Sequence, residues 1–404
     1  MPQEATVDLM DLSAFAEGRD HEIFRVLRDH DPLHWNDEPG GRGFWSVTRY
    51  DDIRQVASDH KTFSSAEGTQ IQDRRAEGDG DPSIHNMDPP EQATLRRIVV
   101  PYMRPAKIRQ MEGVIVEAID GLLDKALAEG GAEEDFDFVH RISAQLPLLI
   151  IGRMLGAPAE ACPHMQRWTN QIASEDPDYS AGPETAAAAR EEVFSFFREL
   201  ERKRRAEPRE DIVSALAHAE VNGEPLRRGQ LDAYYLLLMV AGNETTRNLI
   251  SGGVAALAAE PEQWRALKAD PDLLPSAVEE MIRYVSPVLS MRRTATRDVE
   301  LHGKTIKAGE KVVMWFCSGN RDERVFKDPD RFRFDRSPNE HVGFGWGVHA
   351  CLGAHLARIE TRLFFQRLIE RGLRIDVCSE PERLQSNFFR GIKRLSVRLV
   401  SDRG

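Results

Sequence analysis

Cysteine is scarce: Cys162, Cys317, Cys351 and Cys378 are scattered over 404 positions with no Cys-x-x-Cys pair. That spacing argues against a disulfide framework and against a zinc site, and leaves at most one cysteine for a special role. Positive charge is in deficit, with 54 Lys and Arg against 66 Asp and Glu and a formal net charge of -12. A field of that sign does not attract phosphate backbones or anionic lipid, so nucleic acid is not an expected partner. Long apolar runs are missing: the longest, Ala233 to Ala241, has nine residues and is too short to cross a bilayer. The start Met1-Pro2-Gln3-Glu4 lacks the basic and apolar parts of a secretory signal, which gives the expectation of a reducing cytoplasm. Repeats, charge blocks and low-complexity linkers are lacking too, so one domain over 1–404 is expected.

What is present reads as mainly α with small β-sheets, a helical body large enough to bury a cofactor. Strands are expected in two β-rich parts, near 32–48 and 293–316. In the first, Pro32–Trp35 and Gly43–Thr48 flank a Gly- and Asp-containing turn ahead of a helix over Tyr50–Ser58. In the second, Val299–Ile306 alternates around a Gly turn and Lys311–Phe316 follows. The longest helix is expected from Arg228 to Ala259, apolar nearly all round in its middle, and so passing through the centre of the protein. There it is interrupted by Gly242-Asn243-Glu244-Thr245-Thr246-Arg247. Gly and Thr are poor helix formers and a buried Glu is costly unless paired, so the interruption points to function.

The sharpest motif is Phe344-Gly345-Trp346-Gly347-Val348-His349-Ala350-Cys351-Leu352-Gly353, followed by an amphipathic helix with Leu356, Ile359, Leu363 and Leu368 on one stripe. At a helix start, backbone N–H groups and the helix dipole favour a thiolate, which suits Cys351 to binding a metal or acting as a nucleophile. The glycines let backbone approach a flat ligand. For one cysteine without context, an inert buried thiol is the commoner meaning. A Cys nucleophile with His349 as base is disfavoured, because positions two apart do not present a nucleophile to its base.

The pattern Phe-x-x-Gly-x-His-x-Cys-x-Gly, with Leu356-Ala357-Arg358 behind it, resembles the ligand loop of the cytochrome P450 haem-thiolate monooxygenases. The resemblance extends along the chain. It implies the P450 fold and haem b (iron protoporphyrin IX), with Cys351 as the iron ligand and Phe344, Gly345, His349 and Gly353 around the cofactor. Glu280 and Arg283 match the family's Glu-x-x-Arg pair, and Arg331, in Pro329-Asp330-Arg331-Phe332, stands at the place of the later-loop arginine that joins it in a folding role. Arg293 and Arg96 fall at propionate-binding positions, although Arg292 next door leaves the first register open by one. Gln92 stands where many relatives carry His.

By the same resemblance, Ala241-Gly242-Asn243-Glu244-Thr245-Thr246 is the oxygen-binding stretch. There a small residue and a Gly let the helix pass close over the iron, while Glu244 relays protons from solvent and Thr245 holds the hydroperoxide and an ordered water. The competing meaning is a Thr bonded back to its helix and a Glu rotated to the surface. Substrate is expected against Val240, Ala241, Val288, Leu289 and Phe388 or Phe389, under lids formed by Ser65–Asn86 and Asp176–Thr185. The stretches around Gly242, Val312 and Ser386 look most like bacterial branches that hydroxylate alkane chain ends and sterol side chains, with terpenoid hydroxylases close behind, so an apolar small molecule is expected. The length leaves no room for a fused reductase; electrons are expected from a ferredoxin and its NAD(P)H-dependent ferredoxin reductase, docking at Arg96, Arg97, Arg104, Lys107 and Arg109. A haem sensor or electron carrier would need the Cys loop without Glu244 and Thr245. A cofactor-free helical interaction protein would need neither.

Overall fold

The long apolar stretch between Arg227 and Pro261 forms one helix of 32 residues, Arg228–Ala259, in the computed structural model, which describes residues 7–73, 81–173 and 176–402. Its first turn is secured by Gln230, whose Oε1 accepts from the Arg227 N–H at 3.0 Å. This central helix is buried on most sides because helices Gln145–Leu155, Cys162–Ala173, Pro183–Ala206 and Leu274–Val285 pack around it. One large apolar cluster joins these helices to Ala354–Glu370. Among the described residues no helix is long and apolar enough to cross a membrane.

The two β-rich parts meet in one sheet. Its order is Leu33–Asn36, Phe44–Val47, Lys311–Trp315, Ser290–Ala295, Phe63–Ser64, and only the Phe44–Val47 to Lys311–Trp315 pairing is parallel. Lys311–Trp315 is buried at all five positions, because an apolar cluster covers each face. On one side Trp315 stacks on Phe15 at 5.6 Å and packs on Phe24 at 5.1 Å. The alternation around Gly303 is a separate hairpin, Val299–Leu301 with Lys304–Ile306, whose turn residues His302 and Gly303 both have positive φ, as a two-residue turn requires.

The lid reading of Ser65–Asn86 does not hold over its first part. Ser65, Thr69 and Ile71 are buried, and Arg292 gathers this segment by donating to the carbonyls of Glu67, Gln70, Ile71 and Gln72 and to Asp73. Lys311 Nζ adds a bond to Ile71 O at 2.9 Å. Buried cations with no water to solvate them collect backbone oxygens, and that fixes the chain in place. Residues 74–80 of the same expectation lie outside the described residues.

Candidate active site

The motif around Cys351 is a loop folded on its own backbone ahead of helix Ala354–Glu370. The Cys351 N–H donates to Phe344 O at 2.8 Å, Gly345 to Val342 O at 2.9 Å and Ala350 to Gly347 O at 3.1 Å. Gly345 (φ +67°) and Gly347 (φ +69°) take the left-handed conformations this reversal needs, and a Cβ on Gly347 would also strike the Ala57 carbonyl. At Gly353 the space beside the backbone is open.

Cys351 is solvent-accessible, yet burial pushes its thiol upward, while the Gly353 N–H, Arg96 and Arg358 act in the opposite direction. Both facts hold if the sulfur lies at the bottom of a deep cleft. Cys351 lies two residues before the N-cap Gly353, whose N–H favours the thiolate while burial opposes it, and the charge of a bound metal ion would favour it further.

The opposite wall is the central helix. Ala233, Leu237, Ala241 and Thr245 recur every four residues, and all are accessible, whereas Leu238, Met239, Asn243 and Glu244 between them are buried. In a helix enclosed on its other faces, such a stripe marks a cleft. Arg96 links the walls, since its charge acts on both Cys351 and Tyr234.

At the rim, cations converge. Arg96 Nη2 donates to Ala350 O at 2.6 Å, Arg293 Nη1 to Arg292 O at 2.8 Å, and His349 Nε2 lies 3.1 Å from Ser65 Oγ. Burial pushes Arg293 down to about 10, with Asp88 opposing. His349 is pushed to about 3 by burial and then by Arg293, His85, Arg96 and His60. Burial is the first cause of both shifts, and at His349 the neighbouring cations add to it. An accessible sulfur, an accessible Ala241 facing the cleft and a cationic rim for two carboxylates therefore fit haem b. Arg292 serves the Glu67–Asp73 segment, while the charge of Arg293 acts on His349. Gln92 Nε2 donates to Val348 O at 3.1 Å, bracing the loop.

Behind the loop, Glu280 and Arg283 pair face to face. Arg283 Nη1 continues to the carbonyls of Asn320 (2.7 Å) and Pro329 (2.8 Å). The expected third member, Arg331, is a correction: its side chain is exposed and only its carbonyl accepts from Arg283, at 3.3 Å. Arg336 takes that place, with Nε 3.1 Å from Glu280 Oε2, because its loop folds back onto the carbonyls of Lys327, Asp328 and Arg331. Nothing in the spacing marked Arg336. A second tie was also missed. Glu279 accepts from Arg358 at 2.6 and 2.8 Å and lies 3.2 Å from His341, while Arg358 lies over the Phe344 ring at 4.5 Å. Arg358 sat inside the quoted motif, but only the fold shows its partner.

Glu244 is buried, not rotated to the surface. Its Oε1 accepts from Arg247 and from Asn248 Nδ2 (3.2 Å), and its Oε2 is buried without a protein partner among the described residues. Arg247 reaches on to Asn170 Oδ1 at 2.9 Å. Thr245 Oγ1 donates back to Ala241 O at 3.0 Å. Gly242 is small for a different reason than expected: a Cβ there would lie 2.7 Å from Ile151 Cγ1, so it serves helix packing, and Ala241 is the residue open to the cleft. Val240, Val288 and Phe388 are partly accessible while Leu289 and Phe389 are buried, so alternation separates wall from core.

Comparison with known proteins agrees with this geometry. The family profile described as Cytochrome P450 matches residues 184–390. Linalool 8-monooxygenase of Pseudomonas putida is 39% identical over 97% of this chain and 98% of its own. Steroid C26-monooxygenase of Mycolicibacterium smegmatis is 36% identical over 96% and 93%. The structure of Mycobacterium marinum cytochrome P450 CYP268A2 in complex with pseudoionone superposes with a TM-score of 0.91 at 34% identity, covering 98% of each chain. The chain belongs to the cytochrome P450 family, as a monooxygenase whose cofactor is haem held through a cysteine thiolate.

Proposed function

We propose that this monooxygenase inserts one oxygen atom from O2 into an unactivated C–H bond of a largely apolar molecule: an alkyl chain, a terpenoid or a sterol side chain. The observation that carries the reading is the accessible stripe Ala233, Leu237, Ala241, Thr245, three apolar residues ending in one hydroxyl. With Val240, Val288 and Phe388 it gives a wall with few groups to hold a charged substrate. Relatives named for linalool and a steroid support the same class.

When bound, haem supplies dioxygen activation, with the Cys351 sulfur donating electron density to its iron. The chain's own residues divide the remaining work. Arg96 and Arg293 would hold the carboxylates and orient the ring, with the His349 imidazole beside them. Thr245 Oγ1, now bonded to Ala241 O, has a hydroxyl at the cleft to place a proton or an ordered water beside the reacting oxygen. Glu244 Oε2 is the carboxylate oxygen left free by Arg247 and Asn248, and it is the one suited to pass protons on.

Electrons come in this reading from a ferredoxin served by an NAD(P)H reductase. Arg97, Arg104 and Arg109 are exposed without an acidic partner among the described residues, whereas Lys107 is paired with Glu210. Charge reversal at Arg104 is therefore expected to slow reduction and weaken its salt dependence. The substrate class is tested by titrating the purified holoenzyme with alkanes, terpenes and sterols. A substrate-type Soret shift with these supports the reading, and binding confined to small charged acids rejects it.

A further inference from the structure

Two neighbouring aromatics on the loop after Arg383 differ in setting. Phe388 is partly accessible, whereas Phe389 is buried and lines a separate small cavity with Phe15, Leu289, Arg383, Ser386 and Arg390. The cavity, about 10 Å3, has room for about one water-sized body.

Its charge is unbalanced. Arg390 pairs with buried Asp20, but its Nε is buried with no hydrogen-bond partner among the described residues. The side chain of Arg383 makes no hydrogen bond or ion pair among the described residues. Two guanidiniums therefore share one buried carboxylate, Asp20, with the exposed Glu380 also acting on Arg383. The excess is felt nearby: burial and then Arg321, Arg390, Arg28 and Arg383 push His21 well below its usual value. Arg28 and Arg321 have acids of their own in Glu323 and Asp330, so the surplus belongs to Arg383. An unpartnered guanidinium N–H cut off from water, as at the Arg390 Nε, is costly, whereas the side chain of Arg383 is partly accessible.

We propose that this cavity binds a small monovalent anion of halide size between Arg383 and Arg390. One unit of negative charge balances the pair, and the size excludes phosphate, sulfate and organic carboxylates. The bound ion has a structural consequence beyond itself. Leu289 N–H donates to Phe388 O at 2.8 Å and Arg390 N–H to Pro287 O at 3.0 Å, so an anion that fixes Arg390 also fixes the strand pair carrying Val288 and Phe388. The site is independent of the substrate proposed above, and its test does not depend on turnover.

Thermal unfolding of the holoenzyme is compared in sodium chloride, sodium bromide and sodium gluconate at one ionic strength, for the wild type and Arg383→Gln. The expected result is a saturable rise in midpoint with either halide over gluconate, with apparent halide affinity at least about tenfold weaker in Arg383→Gln, as loss of a charge-assisted contact implies. Equal midpoints in the three salts, or a halide effect that the variant retains in full, overturn the proposal. Should Arg383→Gln fail to fold, anomalous diffraction from wild-type crystals grown in bromide decides: a peak between Arg383 and Arg390 supports the site, and none there overturns it.

Discussion

Glu280 and Arg283, one helical turn apart, form a bidentate pair with both contacts at 2.7 Å and both side chains at 0% exposure. At that depth neither charge has water to fall back on, so removing Glu280 strands Arg283 without a counter-ion, and removing Arg283 leaves Glu280 with Arg336 as its remaining cation. Glu280→Ala or Arg283→Ala is expected to destabilise the holoenzyme by about 3–5 kcal/mol in denaturant unfolding. Arg336→Ala, which removes a further cation from Glu280, should cost more than Arg331→Ala, which is expected within about 0.5 kcal/mol of wild type. The reverse order would restore Arg331 as the third member.

Gly242 sets up a contest of known magnitudes. Ala in its place gains about 1 kcal/mol in helix propensity. It loses about 1–3 kcal/mol to the crowding of Ile151. Gly242→Ala should therefore be destabilised, and the sign should reverse when it is introduced into Ile151→Ala. A double-mutant cycle on unfolding free energies reads this directly, and additivity of the two changes would contradict the contact.

Glu279 carries a pH prediction. Burial would raise its carboxyl, but Arg358 and His341 outweigh that and hold it at about 2 against an ordinary 4.5. A lowered folded-state pKa means stability that is fully present above 4.5 and is lost as pH falls toward about 2. Glu279→Gln should flatten the stability profile in that window and leave its slope near neutrality unchanged. An unaltered acid limb would show that Glu279 is not coupled to folding.

How much of this was legible in sequence follows from which interactions are local. The central helix, the ligand-loop helix and the hairpin around Gly303 rest on periodicity and turn chemistry, and their positions could be read directly. The Glu280–Arg283 pair was legible through the resemblance. Arg336 and the Glu279–Arg358 tie were not, because each joins segments tens of residues apart and no spacing records which arginine of a loop turns inward. The fixed Ser65–Asp73 segment was misread for the same reason: Gly, Asp and Ser suggested mobility, while the buried cations that pin it, Arg292 and Lys311, lie more than two hundred residues away. Gly242 was found for the wrong cause, since its closest neighbour is Ile151 of another helix.

Thr245 bonds to its own helix and also borders the cleft, so its removal should spare the fold and affect oxygen chemistry. Thr245→Ala is expected to keep oxygen consumption while diverting it to peroxide at the expense of hydroxylated product, with unfolding free energy within about 1 kcal/mol of wild type. Product and peroxide measured per NAD(P)H consumed check this. Unchanged coupling would assign the proton-holding role to another group.

The sulfur of Cys351 is the proposed iron ligand, and the carbon monoxide difference spectrum of the reduced protein tests that most directly. The predicted result is the red-shifted Soret band typical of thiolate ligation, lost in Cys351→Ala. A haem-loaded wild-type protein whose carbonyl form shows the band of nitrogen ligation, or a protein that stays colourless with haem in ample supply, would contradict it.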